Sequence, residues 1–278
     1  MSEVFLPENG PSMIGPVALP EGTRQYTVDD EKLVAWVTVE PMPDAGLAWE
    51  ALSAARTQTG LVPVLLEPDP PERREPGQGP DFGFFHSANL DLLDGMPALD
   101  VLTAEWAAKR DAADVRWARN VAPYGDRFPG LAAAEQVSAP RDELRRALSA
   151  LPAAHLGLVR ASRAADVPAV VGWSVFGIDS ISPGSYPYEP YLPGARSLLI
   201  GSVLRSWEER FGARLLRIGA DAVLQVLAER PPRTLEIANQ LAAEFYAFAD
   251  EIDRNAACTV SSIAARLVGA PIWTFWWD

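Results

Sequence analysis

The chain has 278 residues, 48% of them apolar and 22% charged, with a formal net charge of −13. That length and apolar content support a buried core without disulfide staples and exclude a wholly disordered chain. The acid excess repels phosphate, which argues against a nucleic-acid binder, and it favours solubility or the steering of a basic protein partner.

The charge is unevenly placed. Residues 1–150 carry 24 acids against 13 bases, and residues 151–278 carry 13 against 11. Cys258 is the single cysteine, so no disulfide can form within the chain, in keeping with a reducing compartment. The first residues carry neither a basic n-region nor an apolar h-region. The longest uncharged stretches, such as 167–178, fall well short of the about 20 residues a membrane span needs. Together these features lead to the expectation of a cytoplasmic protein without a membrane segment.

Residues 1–25, rich in Pro and Gly, read as an irregular lead-in. The alternation in 32–39 (KLVAWVTV) predicts a strand, ended by Pro41 and Pro43. Asp44 is the expected N-cap of a helix running to Gln58, with Gly60 as its stop. Residues 61–66 (LVPVLL) read as a buried strand that Pro63 pushes towards an edge or a bulge. Strand, helix and strand in this order match a βαβ unit. Five prolines among charges make 67–81 an exposed loop. Asp100 caps a helix to Asn120 with an inner stripe of Leu102, Trp106, Ala113 and Trp117. Residues 120–140 are irregular, and 141–151 form a short helix. A soft boundary near residue 150 divides an N-terminal α/β region (1–150) from a C-terminal α+β domain (151–278).

In the second half, 156–160 and 169–173 read as strands. A loop rich in Tyr and Pro spans 177–194. Residues 196–211 form a helix with Ile200, Val203, Leu204, Trp207 and Phe211 on its apolar face, ended by Gly212. A hairpin follows, with strands at 214–218 and 222–227. Thr234 caps a helix to Ala249 whose inner face holds Ile237, Ala238, Leu241, Phe245 and Phe248. Residues 259–268 form another helix, and 272–278 (IWTFWWD) form a strand sandwiched within the structure. The fold class is α+β: a mixed or antiparallel sheet backed by helices in the C-terminal half, beside a smaller N-terminal α/β region.

Motifs that fix chemistry by their spacing are missing. No GxGxxG follows a strand, neither lysine sits in a phosphate loop, and Gly172 to Gly177 lacks the spacing of a nucleophile elbow. His86 and His155 are far apart, so no histidine pair for zinc exists, and a single cysteine excludes a cysteine-rich metal site. No cofactor is expected. His86 reads as a general base or, more often for such a residue, a surface group, and His155 as structural. Cys258 reads as an inert small residue.

Glu208, Glu209 and Asp221 are carboxylates for acid–base hydrolysis or, alternatively, a solvated helix face and a turn. Trp207, Trp273, Trp276 and Trp277 are core packing or ring-stacking residues, and core is the commoner fate at such positions. Tyr186, Tyr188 and Tyr191, spaced by prolines, make either a rigid recognition surface or a loop that packs on itself.

Several stretches carry a family likeness: LGLV (156–159), PAVVGW (168–173), VLRSWEERFGA (203–213), AERPPRT (228–234) and the aromatic ending at 271–278. Together they resemble a bacterial domain catalogued as domain of unknown function 4253. TGLVP (59–63) and FPGLA (128–132) resemble segments that accompany this domain in actinobacterial proteins. The resemblance implies no activity, cofactor or catalytic residue, and the 177–194 loop departs from the family's pattern in length and in its Tyr and Pro content.

Besides a scaffold role through self-association that buries the Tyr loop, two functions follow from these residues. One is a non-enzymatic protein-binding module, by analogy of the immunity or accessory kind, with Tyr186, Tyr188, Tyr191, Trp207, Glu208 and Asp221 as the binding residues. The other is a carboxylate-based hydrolase built on Glu208, Glu209 and Asp221, which requires those three side chains to converge on one pocket.

Overall fold

The computed structural model describes residues 5–28, 31–68, 80–85, 87–113, 115–173, 195–220, 222–249 and 259–277. The Pro- and Gly-rich start is a hairpin and not the irregular lead-in its composition predicts: β1 (Gly10–Ile14) pairs antiparallel with β2 (Val17–Tyr26). The partners run from Ser12↔Leu19 to Gly10↔Gly22, so β2 carries one extra residue there, and Pro20 lies within that bulge. A residue without an N–H fits a bulge, because no ladder bond is asked of it. Gly22 is needed for a close approach: a Cβ at this position would lie 2.2 Å from the Trp36 ring. The Trp36 indole in turn donates to the Glu8 carbonyl at 2.9 Å and ties down the residues before β1.

The next three elements follow the sequence closely. β3 (Leu33–Thr38) leads into α1 (Ala45–Thr59), which Gly60 ends in the left-handed conformation at φ 68°, and β4 (Val62–Glu67) follows. Asp44 precedes α1 but makes no capping bond with its side chain. β3 and β4 are not neighbours, however. β5 (His155–Val159) inserts between them, antiparallel to both, so the βαβ unit is a split one. Pro63 is accommodated because the parallel pairing of β4 with the strand on its other side starts only at Leu65.

The long helix expected over 100–120 is two pieces, α2 (Ala98–Ala112) and α3 (Trp117–Asn120). Ala113 turns extended at ψ 154° and is exposed, which lets Trp117 fold back to meet the Trp106 ring edge-on at 5.3 Å. α4 (Arg141–Ser149) comes next, and the boundary expected near residue 150 falls between it and β5. The strand expected over 169–173 is instead a short helix, α5 (Val167–Val171). Pro168 suits a first helical turn and Gly172, at φ 65°, closes the last one; Trp173 alone makes a bridge, to Phe84.

From residue 195 the pattern and the fold agree up to the last strand. α6 (Ala195–Phe211) is followed by the antiparallel pair β6 (Ala213–Gly219) and β7 (Val223–Ala228). Then come α7 (Leu235–Phe248), capped by the Thr234 hydroxyl, and α8 (Val260–Leu267), opened by a capping box between Thr259 and Ser262. β8 (Ile272–Trp276) pairs with β7. It is an edge strand and not sandwiched: Trp273 and Phe275 are buried on one face, whereas Ile272, Thr274 and Trp276 on the other are only partly covered.

The fold is α+β, and its described strands form one mixed sheet of eight strands in the order β1-β2-β3-β5-β4-β6-β7-β8, with β4 and β6 the parallel pair. Its larger core packs α2, α5, α6, α7 and α8 against one face. A smaller core holds α1 and α4 on the other, where α1 approaches so closely that a Cβ on Gly46 would lie 2.2 Å from the Leu148 carbonyl oxygen.

Candidate functional site

The most connected polar group lies inside the larger core. α7 turns Ala238, Leu241 and Phe245 inwards, and Glu244, three residues after Leu241, falls on the same face. Its side chain is fully buried. Arg210 on α6 grips it at both oxygens, at 2.7 and 2.6 Å. The Trp207 indole donates to Oε2 at 2.9 Å and the Ala132 N–H to Oε1 at 2.7 Å. Four donors saturate what one carboxylate accepts. Arg210 also donates to the Ala132 carbonyl, and its own carbonyl accepts from the Glu135 N–H. Glu244 and Arg210 therefore clamp the irregular 121–140 segment onto α6 and α7.

A second set of ion pairs covers the outer side of α6. Arg163 bonds Glu208 and Glu209, each at 3.0 Å. Arg205 bonds the buried Asp166 at 2.7 Å and the exposed Asp94 at 2.8 Å. Burial works against the charge on each arginine, and the bonds and charges of their carboxylate partners more than offset it, so both guanidinium groups are held above their usual pKa.

Trp207 is packed and not exposed to a cleft. Its ring stacks on Phe275 at 5.1 Å and 14°, and Phe245, Phe248 and Trp273 surround it. Glu208 and Glu209 meet each other through Arg163. Tyr186, Tyr188, Tyr191 and Asp221 lie outside the described residues, as do His86 and Cys258. His155 is buried, donates through Nδ1 to the Thr38 carbonyl at 2.8 Å and meets the Phe82 ring edge-on. Among the described residues, no three His, Cys, Asp or Glu side chains are grouped to hold a metal ion, and no helix is long and apolar enough to cross a membrane.

Sequence reading missed the network around Glu244. Its one local signal is a carboxylate on an otherwise apolar helix face.

Glu135, also buried, is tied to the same segment. It accepts from the N–H groups of Val137 at 3.0 Å, Gln136 at 2.8 Å and Arg233 at 3.2 Å. The Val137 bond leads in lowering its pKa; burial opposes it, and the Gln136 and Arg233 bonds and the Arg233 charge complete a net shift below 4.5. A lowered folded-state pKa gives stability that is complete above the unfolded value and is lost as pH falls through the folded one. Glu135→Gln is accordingly expected to have a lower urea midpoint than the parent protein at neutral pH. That gap should close as the pH drops below 4.5. A gap of constant size down to acid pH would show that the ionised carboxylate is not what holds the segment.

An open pocket of about 290 Å³ lies where β2 ends, lined by Gln25, Tyr26, Val28, Pro80, Asp81, Phe82 and Phe84. The Val28 N–H donates to the Phe84 carbonyl at 3.1 Å, which joins the two segments that build it. Phe82 and Phe84 are buried at 5% and 4% exposure, whereas Tyr26 and Val28 stand out at 52% and 64%.

No curated protein and no protein of solved structure matches the chain. Residues 196–278, from α6 through the hairpin and the last two helices to β8, match the family described as Domain of unknown function (DUF4253).

Proposed function

We propose that this protein is a non-enzymatic, cytoplasmic protein-binding module, of the accessory or immunity kind, which receives a basic partner in a bacterial cell. The observation that carries this reading is the pocket at the end of β2, where exposed Tyr26 and Val28 stand beside buried Phe82 and Phe84 on an acidic chain. Aromatic and apolar groups around a concavity, with acids nearby, are the chemistry of a recognition surface. The reading also assigns Tyr186, Tyr188 and Tyr191 to the partner as a second contact. Glu208 and Glu209, the acids a hydrolase would use, are engaged by Arg163, which favours binding over hydrolysis.

The test is affinity capture with the full chain and with a Tyr26→Ser, Val28→Asp variant, compared by quantitative mass spectrometry. A basic protein enriched about tenfold or more by the parent chain over the variant is the expected result. Equal capture by both baits, or ester, peptide or glycoside hydrolysis that Glu208→Gln abolishes, would overturn the reading.

A further inference from the structure

We infer that the pocket at the end of β2 receives an arginine side chain of the partner polypeptide, an assignment that rests on the binding-module reading. The volume, about 290 Å³, lies just below the range of about 300–1,000 Å³ typical of small-molecule sites and suits a single side chain. Part of its wall is apolar: Phe82, Phe84, Val28 and Pro80 match the methylene stem of a long cation.

Its polar lining accepts hydrogen bonds. Asp81 uses Oδ1 to take the Gly83 N–H at 2.8 Å, and Oδ2 has no donor among the described residues. Gln25 spends its amide nitrogen on the Thr23 hydroxyl at 2.9 Å, which leaves its carbonyl oxygen as the free end. Among the described residues, no Lys, Arg or His lines the pocket. A guanidinium group is donor-only, so it is complementary to such a lining where an anion or a neutral acceptor is not.

The exposed Tyr26 ring adds a face on which a planar cation stacks, and this distinguishes arginine from lysine. The chain's net charge of −13 draws a cation towards it.

The experiment titrates the ¹⁵N-labelled full chain with acetyl-Gly-Arg-Gly-amide and, separately, with its citrulline analogue, which keeps the shape and removes the charge. Saturable shifts are expected at the Tyr26 and Gly83 amides with the arginine peptide, at least about tenfold weaker with citrulline. Asp81→Asn, which can still accept from the Gly83 N–H, is expected to abolish them. Free arginine should bind no better than the peptide, since its α-carboxylate meets an acidic surface; tighter binding would point to a metabolite site and overturn the inference. Equal shifts with citrulline, or shifts that survive Asp81→Asn, would also overturn it. A captured partner that Asp81→Asn retains and the Tyr26→Ser, Val28→Asp variant loses would sink the arginine assignment and leave the binding module standing. Arginine binding at the pocket with no protein ever captured would sink the binding module instead.

Discussion

Glu244→Gln should lower the unfolding free energy by about 3–5 kcal/mol, the cost typical of breaking a buried ion pair on one side only. The glutamine NH₂ cannot accept, so it would face either the Ala132 N–H or the Trp207 indole donor, and the Arg210 guanidinium would keep a charge with no counter-charge inside the core. Arg210 itself is only 14% exposed, which leaves it little water as a substitute.

Removing both charges should be far milder. Arg210→Met with Glu244→Leu is expected to recover most of the loss, because an apolar pair of similar volume avoids the desolvation both ions suffer. Urea melts followed by circular dichroism measure all three variants. Hydrogen exchange should show the Ala132 amide opening earlier in Glu244→Gln than the sheet does, since it is held by the Glu244 carboxylate. A loss below about 1 kcal/mol in the single variant would mean that water already reaches the pair.

Trp207→Ala is expected to cost a similar amount, about 3–5 kcal/mol, for a different reason. The ring is fully buried and touches Phe245, Phe248, Trp273 and Phe275, so its removal opens a void that these rings can only partly fill. Each ring pair also loses a contact worth about 0.5–1.5 kcal/mol beyond area. Trp207→Phe separates packing from polarity. It keeps a ring against Phe275 but takes one donor from Glu244, and about 1–2 kcal/mol is the expected cost.

Trp207→Phe combined with Glu244→Gln should lose less than the sum of the two, because both act on the same carboxylate oxygen. Strict additivity would show that the indole bond contributes nothing. A Trp207→Ala protein as stable as its parent would deny that the aromatic cluster holds β8 to α6 and α7.

Residues whose fate is set by their neighbours in the chain were readable in advance. α6 and α7 announce themselves by apolar spacing, Thr234 by its capping hydroxyl, Gly60 and Gly212 by the helices they end, and β6 with β7 by the short link between them. Periodicity and capping are local, so they survive in one dimension. The same locality explains the errors. The run from Pro168 to Trp173 is too short to tell a buried strand from a helical turn, and only its packing made it α5. The hairpin of β1 and β2 was masked by prolines and glycines that a bulge and a close approach to Trp36 accommodate. The break after Ala112 follows from Trp117 returning to Trp106.

The sites belong wholly to the tertiary structure. Ala132, Arg210 and Glu244 meet across separations of 112 and 34 residues, and nothing near any of them in the chain names the others. Likewise, Gln25 and Asp81 line one pocket only because the Val28 amide and the Phe84 carbonyl bring two distant segments together. The amino-acid order by itself determined most of the helices, most of the strands and the acidic charge. Which strand lies between β3 and β4, which carboxylate is buried and where a pocket opens at the end of β2 were decided by long-range closure. Such contacts depend on the free energy of the whole packed chain, and no local window contains it.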